Sequence, residues 1–154
     1  MSVNPVPEGY RSVIPYLVVN GAAAAIDFYA TVFGAAEVMR MEHEGRIAHA
    51  EIAIGDSHIM LSDEHVEMGF RGPKAFGGSP ISVMVYLPDV DAVFGRAVDR
   101  GATAERPVED QFYGDRSGTF VDPFGHRWIV ATHVEDVPPE EMERRMAAMG
   151  TQQG

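Results

Sequence analysis

The chain has 154 residues and is 45% hydrophobic, which is enough to bury a core in one domain or in two small fused modules. A formal net charge of −11 argues against nucleic acid and anionic membrane surfaces as partners, because binding phosphate requires clustered Lys and Arg. The absence of cysteine excludes disulfides and thiolate sites, and since no leader-like or membrane-length apolar segment is present we expect a cytoplasmic protein.

The first half of the chain predicts a strand, a helix and three further strands. Residues 12–19 are rich in β-branched and aromatic side chains and predict a strand. The segment AAAAIDFYATVF repeats its apolar residues at helical spacing, so we expect a helix capped by Asn20 and ended by Gly34. Three short strands are predicted next, at residues 36–41, 47–54 and 58–62.

The same order of elements recurs after a glycine-rich stretch of low periodicity, residues 64–80, which is interpreted as a linker or lid. A strand at residues 81–87 precedes a helix that Asp89 is expected to cap. Strands are then predicted at residues 103–108, 118–121 and 127–132. The glycines that end the two helices, Gly34 and Gly101, lie 67 residues apart, which indicates a duplicated βαβββ unit.

A helix of a different kind is predicted at the end of the chain, at residues 138–149. Acidic residues follow Pro138-Pro139 and basic residues come later, an order that suits the helix dipole. Its methionines lie on one face and form a flexible apolar stripe. The stripe either packs on the domain or docks on a partner chain.

The run DQFYGDRSGTFVDPFGHRW lies between two strand-like segments of the second module and concentrates turn formers, aromatics and paired charges. Asp115 and Arg116 are expected to pair and to fix this loop. Phe112 and Tyr113 supply apolar area with one polar hydroxyl. Because loops carried on a rigid sheet often hold binding residues, we expect a ligand site to border this run.

Together with the repeated βαβββ order and the IDFY of the first helix, this run resembles the vicinal oxygen chelate superfamily, the glyoxalase, bleomycin-resistance and extradiol-dioxygenase fold. The stretch GRIAHAEIAIGDSHIMLSD resembles its PhnB-like branch. The resemblance implies one α+β domain in which two paired βαβββ modules, residues 11–63 and 81–133, form a curved cup-shaped sheet, with the linker 64–80 and a C-terminal helix.

The resemblance also implies four positions at which members of the superfamily that use a metal carry its ligands. In this chain those positions hold Ile14, Met60, Ser82 and Ile129. None of them offers imidazole or carboxylate, so we expect neither a metal nor another cofactor.

A second cluster leaves other readings open. His49 and Glu51 alternate on one strand and His58 lies on the next, so they either replace the usual metal ligands or form a polar network. In the network, His49 and Glu51 pair with each other or with Arg116. Catalysis without metal, with His49 as base and Arg116 as charge stabiliser, also stays open.

The residues expected to contact a ligand are aromatic and apolar side chains of the cup, single hydrogen-bond donors and a few charged groups. They are Tyr16, His49, Glu51, Met60, Ser62, Ser82, Met84, Phe112, Tyr113, Arg116 and Trp128. Strand alternation is expected to move some of them into the layer that packs on the helices. No catalytic residue is assigned.

Three functions are therefore considered. The first is a metal-independent, homodimeric binding protein that sequesters a small aromatic or antibiotic-like ligand, because a largely apolar lining suits such molecules. The second is a metal-dependent lyase, isomerase or dioxygenase of the same superfamily. The third is a protein that acts through partner contacts of its methionine-striped tail.

Overall fold

The computed structural model describes residues 2–152, with side chains up to residue 150. In chain order its elements are β1 Tyr16–Val19, α1 Ala22–Phe33, β2 Ala36–His43, β3 Arg46–Ile54, β4 Ser57–Asp63, β5 Ser82–Tyr86, α2 Val90–Asp99, β6 Thr103–Asp110, β7 Asp115–Val121, β8 Arg127–His133 and α3 Pro139–Gln152. The predicted α+β class, with two βαβββ sets and a C-terminal helix, is confirmed.

The chain divides into two compact units. The first unit contains the residues up to Pro80 together with residues 123–126, and the second contains residues 81–122 and the residues from Arg127 onward. The stretch between β4 and β5, predicted as a linker or lid, contains two short helical turns, Val66–Met68 and Pro73–Phe76. Among the helices that the structure describes, none is long and apolar enough to cross a membrane.

The sheet of the first unit has the strand order β1-β4-β3-β2, with β1 and β4 parallel and the other pairs antiparallel. β1 begins at Tyr16, four residues later than predicted. The carbonyl of Pro15 still accepts a hydrogen bond from the amide of Met60 at 3.0 Å, but proline has no N–H to give to a ladder. Alternate residues such as Leu17, Ile52 and Leu61 are buried, which leaves the other face of the sheet open.

Helix α1 has the predicted bounds, but the prediction of an Asn20 cap is wrong. The helix begins after Gly21, whose φ of 103° is left-handed, and no side chain of the capping residue bonds the first turn. The carboxylate of Asp63 at the end of β4 serves instead. Its Oδ1 accepts from the amides of Gly21 at 3.0 Å and Ala22 at 2.7 Å, and its Oδ2 accepts from Ile47 at 2.8 Å.

The sheet of the second unit repeats the arrangement, in the order β5-β8-β7-β6. Asp89 caps α2 as predicted, accepting a hydrogen bond from the amide of Ala92 at 3.2 Å. Phe120 and Trp128 are fully buried, and the indole Nε1 of Trp128 donates to Asp122 at 2.8 Å. These buried rings form a large aromatic core that holds the unit together, and the indole nitrogen within it has a hydrogen-bond partner.

The predicted pair of Asp115 and Arg116 is wrong, because β7 begins at Asp115 and neighbours in a strand point to opposite faces. Asp115 accepts a hydrogen bond from the hydroxyl of Tyr86 at 2.7 Å. Arg116 instead donates to Asp91 of α2 at 2.8 and 3.0 Å and to Asp110 at 3.2 Å.

We expect Asp63→Asn to lower the free energy of unfolding by about 1–3 kcal/mol, since an amide replaces a charged acceptor shared by three backbone amides. Urea denaturation followed by circular dichroism measures the change. Asp56→Asn, in the exposed turn between β3 and β4, is the matched control and should cost less than about 0.5 kcal/mol. Equal effects of the two substitutions would contradict the role assigned to Asp63.

Candidate functional site

The open face of the first sheet brings together all five ligand residues predicted for this unit. Directly opposed residues in neighbouring strands share a face, and Tyr16 opposes Met60, which in turn opposes Glu51. His49 lies two residues before Glu51 and Ser62 two residues after Met60, so both project from the same face.

A chain of hydrogen bonds runs across this face. The hydroxyl of Tyr16 lies 2.9 Å from Nδ1 of His49, and Nε2 of His49 lies 3.2 Å from Oε1 of Glu51. Tyr10 donates its hydroxyl hydrogen to the other oxygen of Glu51. This bond, together with those from His49, lowers the pKa of Glu51 although burial opposes it, so the side chain is a carboxylate at neutral pH.

The carboxylate fixes the hydrogen positions of the chain. Since a carboxylate only accepts, Nε2 of His49 must carry a hydrogen, and in the neutral imidazole Nδ1 then accepts from Tyr16. His49 and Glu51 therefore pair with each other, one of the two pairings expected for a polar network. Arg116 has other partners and takes no part.

Tyr10 is the residue of this cluster that sequence reasoning missed. It lies in the proline-bearing arm before β1, where no periodicity marks it, and its contacts with β3 and β4 are distant in sequence. Its ring also contacts that of His58 in a tilted arrangement, with centroids 4.3 Å apart and the ring planes at 40°. Nδ1 of His58 is the one buried side-chain polar atom without a hydrogen-bond partner among the described residues.

The residues present do not fit the metal site of the superfamily. Within residues 2–150, no three His, Cys, Asp or Glu side chains are grouped so that they can hold a metal ion, and this includes His49, Glu51 and His58. Both oxygens of Glu51 already accept hydrogen bonds. Ile14 precedes β1, and neither it nor Met60, Ser82 and Ile129 has an imidazole or carboxylate.

A cavity of about 670 Å³ opens beside this chain, entirely within the first unit. Carbon atoms form most of its wall. The apolar part comprises Tyr16, Ile47, Ala48, Met68 and Phe70. Of the predicted ligand residues, Tyr16 and Ser62 line it, whereas Met68 and Phe70 come from the segment interpreted only as a linker or lid.

The rim of the cavity is acidic. Four carboxylates and one guanidinium line it, those of Glu44, Asp63, Glu64, Glu67 and Arg46. Asp63 is held by three backbone amides and Glu64 accepts from the amide of Gly72 at 3.3 Å. Glu44 and Glu67 are exposed and contact only histidines near them in sequence, at 3.7 and 3.8 Å. These two carboxylates give the mouth a negative potential.

The predicted ligand residues of the second unit are not gathered on one face. Ser82 and Met84 lie on one face of β5, and both are exposed. Trp128 is 0% exposed on the other face of the sheet, one of the positions that strand alternation moves into the packed layer. Arg116 lies on the same face of the sheet as Trp128, where it pairs with Asp91 of α2.

Phe112 and Tyr113 lie in the turn between β6 and β7, as their neighbouring glycine predicts, and their rings make an edge contact at 5.2 Å. The carbonyl of Phe112 accepts a hydrogen bond from Arg145 of α3 at 3.1 Å. Arg145 also pairs with Glu135 and Glu141, so a charged cluster holds the C-terminal helix to this turn.

Another polar cluster centres on His133, the last residue of β8. Its Nδ1 lies 2.8 Å from buried Asp115 and its Nε2 lies 2.7 Å from exposed Asp136. Hydrogen bonds to Asp136 and Asp115 raise the pKa of His133. The hydrogen bond from Tyr86 to Asp115 likewise raises the pKa of that tyrosine.

We expect His133 to make the stability of the protein pH-dependent. Because its pKa is raised in the folded state, its contribution is fully present below the unfolded pKa of about 6.5 and is lost as the pH rises through the folded value. The difference in free energy of unfolding between wild type and His133→Gln should therefore shrink from pH 5.5 to pH 8.5. A difference that stays constant would contradict this linkage.

Known proteins are similar to this chain in sequence and in fold. A Mycobacterium bovis protein, Mb0911c, is 38% identical over 154 residues, which cover 97% of this chain and 99% of that protein. The crystal structure of TioX from Micromonospora sp. ML1 superposes with a TM-score of 0.62 at 25% identity, covering 83% of this chain and 100% of that one.

A PhnB protein from Bacillus cereus superposes with a TM-score of 0.65 over 79% of this chain and 99% of its own, and at 18% identity it shows the shared fold alone. The family model described as Glyoxalase/Bleomycin resistance protein/Dioxygenase superfamily matches residues 12–130, which is most of the chain. The protein belongs to this superfamily.

Proposed function

We propose that the protein binds a small, largely apolar molecule without a metal ion, and that the cavity of the first unit is the binding site. The observation that carries the proposal is the cavity of about 670 Å³ with a mostly carbon-lined wall. Its volume lies within the range of roughly 300–1,000 Å³ that is typical of small-molecule sites.

The exposed apolar side chains of the wall supply the driving force. Tyr16, Met68 and Phe70 are 48%, 68% and 49% exposed, although large apolar side chains are usually buried. A ligand that covers them removes their apolar surface from water, which is worth about 25 cal/mol for each Å². Two aromatic rings favour a planar partner, and the flexible Met68 adapts to its outline.

The charges of the rim restrict the ligand further. Glu44 and Glu67 are exposed carboxylates from two different loops, and Arg46 is the one cation among the residues that line the cavity. An anionic ligand is repelled at this mouth, so the molecule that binds is neutral or cationic. This agrees with the aromatic or antibiotic-like ligand expected from the sequence.

The biological role that best matches such a site is sequestration of a drug or natural product. The superfamily's description includes bleomycin resistance proteins, and sequestration requires affinity but no chemical step. As expected from the sequence, we also propose that the protein is a homodimer and is located in the cytoplasm. Exposed apolar side chains of the second sheet, such as Met84 and Tyr86, support a self-association surface.

Two naphthalene dyes that differ only by a sulfonate test both the cavity and its charge. Neutral N-phenyl-1-naphthylamine should bind about tenfold more tightly than anionic 1-anilinonaphthalene-8-sulfonate, which corresponds to about 1.4 kcal/mol of repulsion. Fluorescence titration measures both affinities. Phe70→Ala should weaken the binding of the neutral dye, whereas Ile81→Ala, an exposed apolar residue outside the cavity, should not. Equal affinities for the two dyes, or loss of binding in the control, would contradict the site.

Metal addition distinguishes this proposal from the metalloenzyme alternative. Zinc, nickel, manganese or iron should leave the melting temperature unchanged, because His49, Glu51 and His58 form no metal-holding group in the described chain. Protein purified without chelator or histidine tag is used for thermal unfolding and metal analysis. One equivalent of bound metal with a clear rise in melting temperature would overturn metal independence.

A further inference from the structure

We propose that the chain Tyr16–His49–Glu51 is a proton relay that gives the cavity a metal-independent acid–base activity toward a planar, uncharged or cationic molecule with an acidic C–H. The inference rests on the proposed function, because the substrate must occupy the same cavity. It goes beyond sequestration, since a bound molecule would be deprotonated and not merely held.

The relay begins at Tyr16, a residue of the cavity wall whose hydroxyl is hydrogen-bonded to His49. Tyr16 is about half exposed, and its oxygen lies 2.9 Å from Nδ1 of His49. Tyr16 also lines a second cavity of about 240 Å³. A hydroxyl next to a base that is oriented by a third group is the arrangement that activates such groups in catalysis.

Glu51 acts as the positioning residue of the relay. It is 8% exposed, and both of its oxygens accept hydrogen bonds, from Tyr10 and from His49. Its lowered pKa keeps the negative charge in place at neutral pH. That charge favours the tautomer with the hydrogen on Nε2, in which Nδ1 accepts the hydrogen bond of Tyr16, and it stabilises the imidazolium that forms when Nδ1 takes the proton.

The relay differs from a purely structural network in where it ends. In the second unit, by comparison, the indole of Trp128 donates to the carboxylate of Asp122, and both of these side chains are buried. Glu51 already accepts from Tyr10, so its contact with His49 adds a path that leads outward to the cavity.

The proton-transfer step balances without an oxidant or a reductant. The C–H proton of the substrate moves to the oxygen of Tyr16 while the hydroxyl proton of Tyr16 moves to Nδ1 of His49. The electron pair of the broken C–H bond stays on the substrate, where it forms a new double bond or expels a leaving group. The imidazolium of His49 then releases its proton to water or returns it to the product.

The test uses the elimination of 5-nitrobenzisoxazole, a planar and uncharged carbon acid, in the presence of a chelator. Removal of its C–H proton breaks the N–O bond and gives a nitrile and a coloured phenolate, whose absorbance is followed. We expect saturable turnover by wild type. Tyr16→Phe and His49→Gln should each lower kcat by about 100-fold, because each removes a member of the proton relay. KM should change little, because Tyr16→Phe keeps the aromatic ring and His49→Gln keeps a polar side chain of similar size.

Glu51→Gln should also lower kcat more than KM, with its melting temperature measured in parallel so that unfolding is recognised. Tyr86→Phe and His133→Gln are matched controls in the second unit, where the same side-chain types meet carboxylates outside the site. Both controls should keep the rate of wild type.

Turnover no faster than that of free imidazole and phenol at equal concentration, or a Tyr16→Phe variant with an unchanged kcat, would overturn the relay. Binding of N-phenyl-1-naphthylamine is measured on the same samples. If the dye binds and no turnover occurs, the relay fails while the proposed binding function stands. If neither is seen, both fail.

Discussion

The carboxylate of Asp63 is the contact on which the first unit depends. It ends β4, accepts the first amides of α1 and the amide that opens the buried part of β3, and it also lines the cavity. One side chain thereby fixes the helix, two strands and part of the cavity lining relative to one another. Buried or half-buried carboxylates that accept several backbone amides are costly to replace, because each amide would lose its partner at once.

Strand alternation explains why the site residues of the first unit could be predicted. Period-two patterning sends Leu17, Ile52 and Leu61 to the helix and leaves the intervening polar side chains on the open face. His49 and Glu51 could therefore be placed on one face of a strand from sequence alone, although their pairing with each other could not be distinguished from pairing with Arg116. The helices were predicted with nearly correct bounds for a related reason, since their apolar spacing and terminal glycines are local signals.

Long-range pairings could not be predicted in this way. The contact of Tyr10 with Glu51 spans 41 residues, and Asp63 replaces Asn20 at a helix that lies 41 residues earlier. Nor could the partner of Arg116 be found, because β7 begins earlier than its glycine suggested and alternation then separates it from Asp115. In each case tertiary packing supplied a partner that is distant in the sequence and that local patterns do not indicate.

The turn between β2 and β3 holds Glu44 at a φ of 50°, a left-handed conformation that side chains other than those of Gly, Asn and Asp adopt reluctantly. The same residue carries one of the exposed carboxylates of the cavity rim. A change to glycine or asparagine would relax the backbone and remove the charge together. At this position the negative charge that disfavours anionic ligands is combined with a strained backbone. A substitution, by evolution or by design, can therefore change the ligand selectivity of the cavity mouth and increase the stability of the fold.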